Sequence, residues 1–234
     1  MLKALVFDFD GVIVDTERVW FDIYRDWLAR DYGYDLKLAD YLVCVGATSQ
    51  ALFDFLATQL DLRDDPRSFE RRAKEEFVSR SRDLPPLPGV IDLVRQARAA
   101  GLKLAIATSA TSEKPTFHLK RLGIWDCFDA LSCADVFAHP KPAPDAFLTA
   151  AEMLGLPPGE CLAIEDSGNG LTAAHRAGMP CLVVPNEITA GDRFDAPYAR
   201  LGSLADFDLA TIRADFDRNR KLDASANRGD HHAA

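Results

Sequence analysis

Two carboxylates set two residues apart, Asp8 and Asp10, follow a short apolar run at residues 2–7. If that run is a β-strand, both acids sit just past its carboxyl end, where ligands of open parallel sheets bind. Like charges held so close repel each other. A hard cation relieves the repulsion, and oxygen donors at this spacing suit Mg²⁺. Taken alone, an acid pair after a strand reads equally well as a solvated turn. Three later segments end in a similar way. Residues 104–107 run into Thr108 and Ser109, whose hydroxyls can donate to a phosphate oxygen, although a Thr there also serves as a turn or N-cap residue. Lys141 lies in His139-Pro140-Lys141-Pro142-Ala143-Pro144. The prolines stiffen the backbone around one cation, which can hold a nucleophile near a phosphoryl group; the plainer reading is a solvated loop lysine. Residues 161–164 end in Glu165-Asp166-Ser167-Gly168. Those two carboxylates could join Asp8 around a metal, or simply cap a helix.

The elements that must position these side chains are legible. Residues 2–7, 102–107, 130–133, 161–164 and 181–184 are short apolar runs bounded by polar or turn residues. That is the pattern of strands buried on both faces. Helical periodicity separates them at 89–100, 115–122, 144–154 and 171–177, and Gly101, Gly123, Gly155 and Gly178 mark the helix ends. Strand alternating with helix predicts an α/β fold with an open, parallel, Rossmann-like sheet. Residues 15–84 interrupt the alternation. They read as helical, with apolar positions such as Trp20, Ile23, Trp27 and Leu28, then Ala51, Phe55 and Leu56. The expectation is a helical cap domain over 15–84, inserted into a core of 1–14 and 85–218 on hinges near 14–16 and 84–88. Residues 219–234 are polar and are expected to form a disordered tail.

Composition narrows the function classes. The chain has 234 residues, 48% hydrophobic and 27% charged, which excludes wholesale disorder, collagen and coiled coil. The longest uncharged stretch, residues 41–53, is shorter than the about 20 residues of a bilayer span, so no membrane partner is expected. The first residues lack a basic leader and a small-residue cleavage site, so no secretory signal is expected. A net charge of −9 disfavours nucleic acid as a partner. The five cysteines, Cys44, Cys127, Cys133, Cys161 and Cys181, are odd in number with no C-x-x-C pair. They read as free thiols in a reducing cytoplasm rather than a zinc site or disulfide framework.

Asp8-Phe9-Asp10-Gly11-Val12, Thr108, Lys141 and Glu165-Asp166 together resemble the four motifs of the haloacid dehalogenase superfamily, in order and over about residues 2–210. A helical insertion between the first two motifs resembles subfamily I, and in particular its phosphatase and beta-phosphoglucomutase-like branch. The resemblance implies that Asp8 is a nucleophile forming an aspartyl-phosphate, and that Asp10 is the general acid and then base. It implies Mg²⁺ held by the Asp8 carboxylate, the Asp10 carbonyl and Asp166, with Glu165 close by. Thr108, with backbone N–H groups around Gly11 and Ser109, would take phosphate oxygens, and Lys141 would neutralise charge near Asp8. The implied substrate is a small phosphorylated metabolite, sugar phosphates first.

The dehalogenase and phosphonate-cleaving branches lack the second aspartate, so Asp10 favours phosphoryl transfer. Within the mutase branch, Trp20 stands where a histidine is used and Ser49 where an arginine grips a distal phosphate, which favours a hydrolase over a mutase. A mutase and a non-catalytic phosphometabolite-binding protein remain the alternatives. Trp20, Gly46 and Ser49 are the cap residues expected to meet substrate, although a Trp at helical spacing, as Trp20 is, more often belongs to the core of the helical bundle. A monomer is the expected state.

Overall fold

The computed structural model describes residues 1–42, 49–63 and 65–229. Six parallel strands form one sheet: β1 (Ala4–Phe7), β2 (Lys103–Ala107), β3 (Ala130–Ser132), β4 (Cys161–Glu165), β5 (Cys181–Val183) and β6 (Ala199–Arg200). Their spatial order is β3-β2-β1-β4-β5-β6. β1 lies between β2 and β4, and the register sets Phe7 level with Ile106 on one side and Ile164 on the other. The chain therefore leaves three neighbouring strands at one edge of the sheet, where the strand order reverses. An open α/β sheet presents its binding crevice there.

The pleat sends bulky and small side chains to opposite faces. Leu5, Phe7, Leu104, Ile106, Leu162 and Ile164 pack on one face against α5 (Val90–Ala99). Ala4, Val6, Ala105, Ala107 and Ala163 form the other face, under α7 (Asp145–Leu154) and α8 (Gly168–Arg176). Because both faces are covered, the strands read as continuous apolar runs. The small residues on the second face leave room for Phe147 of α7, which has no exposed surface. α6 (Glu113–Arg121) follows β2.

Among the described residues, four α-helices lie between β1 and α5: α1 (Thr16–Tyr32), α2 (Leu38–Tyr41), α3 (Ser49–Ala57) and α4 (Pro66–Ser81). They share a separate apolar cluster that includes Tyr24, Trp27, Leu28, Leu56 and Phe69. Asp15 caps α1 by accepting from the Arg18 N–H at 3.1 Å. Asp65 caps α4 by accepting from the N–H groups of Arg67 and Ser68. The two chain segments leading into and out of these helices run side by side. Val14 bridges Pro86, and the Leu87 N–H donates to the Ile13 carbonyl at 2.9 Å.

Two features differ from the sequence reading. β6 is only two residues long, too short to leave a periodic signal. α9 spans Leu209–Gly229, so the helix takes in residues 219–229 of the stretch 219–234 that is expected as a disordered tail; the rest of that stretch lies outside the described residues. Arg, Lys, Leu and Ala in that stretch are good helix formers despite its polarity. Phe216, 1% exposed, anchors the first half of α9 to the core. No described helix is long and apolar enough to cross a membrane.

Removing the ring of Phe147 would leave a void beneath the alanine face of the sheet. Phe147→Ala is expected to destabilise the protein by about 3–5 kcal/mol, measured by urea unfolding, and the control Phe117→Ala, on an exposed ring, by far less.

Candidate active site

The site is built where β1, β2 and β4 end. Asp8 is the first residue beyond β1, and its N–H donates to the Ile164 carbonyl of β4 at 2.9 Å. Glu165 ends β4 and Asp166 follows it. Oxygens of Asp8, Glu165 and Asp166 all lie within 4.8 Å of one another, and all three residues are buried. One ammonium enters this cluster. Lys141 Nζ donates to Asp8 Oδ1 at 2.6 Å, to Glu165 Oε1 at 2.5 Å and to the Ala107 carbonyl at the end of β2 at 2.8 Å. It also lies 4.7 Å from the centre of the Phe147 ring. The peptide between Lys141 and Pro142 is cis.

The charges do not balance. Burial pushes the Asp8 carboxyl up to about 7, and Glu165 and Asp10 add to the rise, against the opposing pull of Lys141. Burial likewise raises the Asp166 carboxyl well above its ordinary range, helped by Glu165 and Asp8. Burial alone would lower the Lys141 ammonium, but Asp8 and Glu165 outweigh it and hold the ammonium above its usual value. Three hard-oxygen acids around one ammonium leave room, electrostatically, for a small divalent cation. Glu165 is the least available of the three. Its second oxygen already accepts from the N–H groups of Asp166 and Ser167 and from Ser167 Oγ. Asp8 and Asp166 therefore fit an oxygen-ligated Mg²⁺ best among these side chains.

The backbone makes space for the cluster. Gly11 has φ +78°, and a Cβ there would overlap Asp166 Oδ2. Gly170, in the first turn of α8, faces the Glu165 carboxylate so closely that a Cβ would overlap it. Ser167 caps α8 by accepting from the Gly170 N–H at 3.0 Å, so the sequence after β4 both supplies the acids and starts the helix.

Residues 5–184 match the family of haloacid dehalogenase-like hydrolases. The chain belongs to that family. Among its relatives, YhcW of Bacillus subtilis (strain 168) is 36% identical over 213 residues, covering 91% of this chain and 96% of that one. The phosphorylated carbohydrates phosphatase of Thermotoga maritima is 31% identical over 179 residues, covering 76% of this chain and 82% of that protein. Among solved structures, a CbbY mutant from Rhodobacter sphaeroides in complex with xylulose-(1,5)bisphosphate has a TM-score of 0.74 at 29% identity, covering 91% of this chain and 99% of that one.

In this haloacid dehalogenase-type hydrolase, Asp10 stands apart from the three-acid cluster. It accepts from Thr16 Oγ1 and from Lys114 Nζ, which reaches both of its oxygens at 2.6 and 2.7 Å. Thr108 is buried at the end of β2; its Oγ1 accepts from the Ala110 N–H at 3.1 Å, so it shapes the turn while its own hydroxyl proton can still be donated. Ser109 Oγ, exposed, accepts from the Lys141 N–H at 3.4 Å. Trp20 stacks flat on Phe77 of α4, with ring centres 4.1 Å apart, and so packs within the helical cluster. Gly46 lies outside the described residues. Ser49 opens α3, but its side chain is likewise outside the description.

Several polar residues at the site have no signal in the sequence. Lys114 lies in α6, far from Asp10 along the chain. Glu17 is in the first turn of α1; burial, then the nearby Asp10, pushes its carboxyl up to about 7, and it accepts from Tyr41 OH at 3.4 Å. Asn186 donates from Nδ2 to Asp166 Oδ2 at 2.7 Å. Gly170→Ala is expected to destabilise the protein by roughly 1–3 kcal/mol, because neither Glu165 nor α8 can yield without breaking the cluster. Gly191→Ala, where a Cβ meets open space, is the matched control in thermal unfolding.

Proposed function

We propose that this haloacid dehalogenase-type phosphatase hydrolyses a small phosphorylated sugar, with Mg²⁺ and through an aspartyl-phosphate on Asp8. The observation that carries the reading is the cluster of Asp8, Glu165 and Asp166 with Lys141 bridging two of them. A purely structural ion pair has no need of three acids for one ammonium. The phosphorylated carbohydrates phosphatase and the CbbY complex with xylulose-(1,5)bisphosphate among its relatives support a sugar phosphate.

Mg²⁺, held by the Asp8 carboxylate, the Asp10 carbonyl and Asp166, would supply neutralisation that lets an anionic nucleophile meet an anionic phosphate. Asp8 attacks phosphorus, and the bond from phosphorus to the sugar oxygen breaks. Asp10 gives its proton to that departing oxygen, then takes one from a water that attacks the phospho-aspartate and frees phosphate. To act as the acid, Asp10 must give up its ion pair with Lys114. Lys141 orients Asp8, while Thr108 and backbone N–H groups around Gly11 and Ser109 donate to phosphoryl oxygens; the Gly11 N–H itself already donates to the Val14 carbonyl at 2.9 Å. Helices α1–α4 serve as a cap that swings on the paired segments at residues 13–14 and 86–87 and encloses the leaving group. Trp20 packed on Phe77 leaves no histidine at that position for a mutase. The free thiols Cys127, Cys133, Cys161 and Cys181 support a reducing compartment such as the cytoplasm.

Phosphate release from a panel of phosphorylated sugars tests the reading. Asp8→Asn is expected to abolish release, and Asp10→Asn to slow it about 10²–10⁴-fold. Turnover by Asp8→Asn at the wild-type rate would sink the nucleophile assignment. Chelation should stop the reaction and added Mg²⁺ restore it. Because the Asp8 proton must leave before a cation binds, metal affinity should rise as pH climbs through about 7 and then level off. Calorimetric Mg²⁺ titrations between pH 6 and 8 read this directly.

A further inference from the structure

The loop after β5 grips the end of β4 and the start of α8, and also reaches into the helical unit. Asn186 Nδ2 donates to Asp166 Oδ2 at 2.7 Å. The amide is held in that orientation from its other side: Asn186 Oδ1 accepts from the N–H groups of Ile188 and Thr189 at 2.9 and 3.1 Å. The Asn186 N–H donates to Thr189 Oγ1 at 3.1 Å. Thr189, buried at 2% exposure, directs its hydroxyl at the same Asp166 oxygen from 3.5 Å. Further along the loop, Asp192 Oδ2 accepts from the Gly168 N–H at 2.8 Å. Within the first grip, between Asn186 and Thr189, Ile188 is 2% exposed and belongs to the apolar cluster of α1–α4. Its neighbour Glu187 pairs with Arg18 of α1 at 2.5 Å, with both side chains exposed.

We propose that Asn186 is a positioning residue for Asp166 as a metal ligand, and that Ile188 makes this positioning depend on the seated helical unit. The inference rests on the metal reading given under Proposed function. One Asp166 oxygen is occupied by the amide, so the carboxylate cannot rotate freely and its other oxygen keeps one direction. Partners behind a metal ligand fix its orientation in this way, and their loss typically weakens metal binding about 10–100-fold. Asn186 and Ile188 share one hydrogen-bonded turn, so a shift of Ile188 out of the helical cluster moves the amide with it. Linkage makes the effect reciprocal: whatever factor the seated helices add to metal affinity, bound metal adds to their seating. The exposed Glu187–Arg18 pair contributes little by comparison.

Calorimetric titration with Mg²⁺ alone, without substrate, tests this on the full chain. Asn186→Ala is expected to weaken binding about 10–100-fold, and Ile188→Ala to weaken it in the same direction. Glu187→Ala should match wild type. Should Asn186→Ala not fold, Asn186→Ser keeps an oxygen for the turn, loses the amide donor, and is expected to show the same loss. Wild-type affinity in the folded Asn186 variant would overturn the positioning role. Wild-type affinity in Ile188→Ala would overturn the tie to the helices. A wild-type protein that binds no Mg²⁺ would instead sink the metal reading, and this inference with it.

Discussion

Lys141 places one ammonium, 9% exposed, between two buried carboxylates and against the Ala107 carbonyl, and the third acid, Asp166, has an oxygen within 4.8 Å of oxygens of those two. A buried acid with no partner would take up a proton, because burial penalises its charged form. Deleting one partner of a buried ion pair typically costs about 3–5 kcal/mol. Lys141 thus keeps Asp8 and Glu165 together, yet it cannot neutralise all three acids. Burial first, and then the remaining negative charge, raises Asp8 to about 7 and lifts Asp166 well above its ordinary range. The same imbalance makes the cluster suitable for a cation.

The fold supplies what this cluster requires. Parallel pairing sets the ends of β1, β2 and β4 level, so acids and an ammonium far apart in the chain converge within hydrogen-bond reach. Alanines on the α7 face of the sheet leave room for Phe147, whose ring lies beneath Lys141 and helps exclude water from it. Gly11 and Gly170 remove side-chain bulk where Asp166 and Glu165 must approach the backbone. The helical unit then adds groups of a different kind. Glu17 of α1 feels the charge of Asp10 and accepts from Tyr41 OH, and Lys114 of α6 lies 5.8 Å from the Phe77 ring of α4. Asp10 thus stands at the junction of the two units, and Asp166 is linked to the same junction through Asn186 and Ile188.

Much of this was legible in the amino-acid sequence because it depends on local pattern. Apolar runs bounded by turn residues marked five of the six strands, glycines marked the helix ends, and Asp8, Thr108, Lys141, Glu165 and Asp166 each followed a strand or lay in a stiff loop. Those placements need only the period of the backbone and the rule that open parallel sheets bind ligands at their carboxyl ends. The tertiary structure alone decided which polar side chains meet. Lys114 sits in a helix with no pattern distinguishing it from any surface lysine, yet α6 packs so that its ammonium reaches both Asp10 oxygens. Asn186 reads as an ordinary turn residue, yet its amide holds Asp166. Strand ends are set by hydrogen bonds repeated along the chain, so sequence determines them. Contacts between helices and distant loops are set by packing angles and side-chain reach, which no periodicity records.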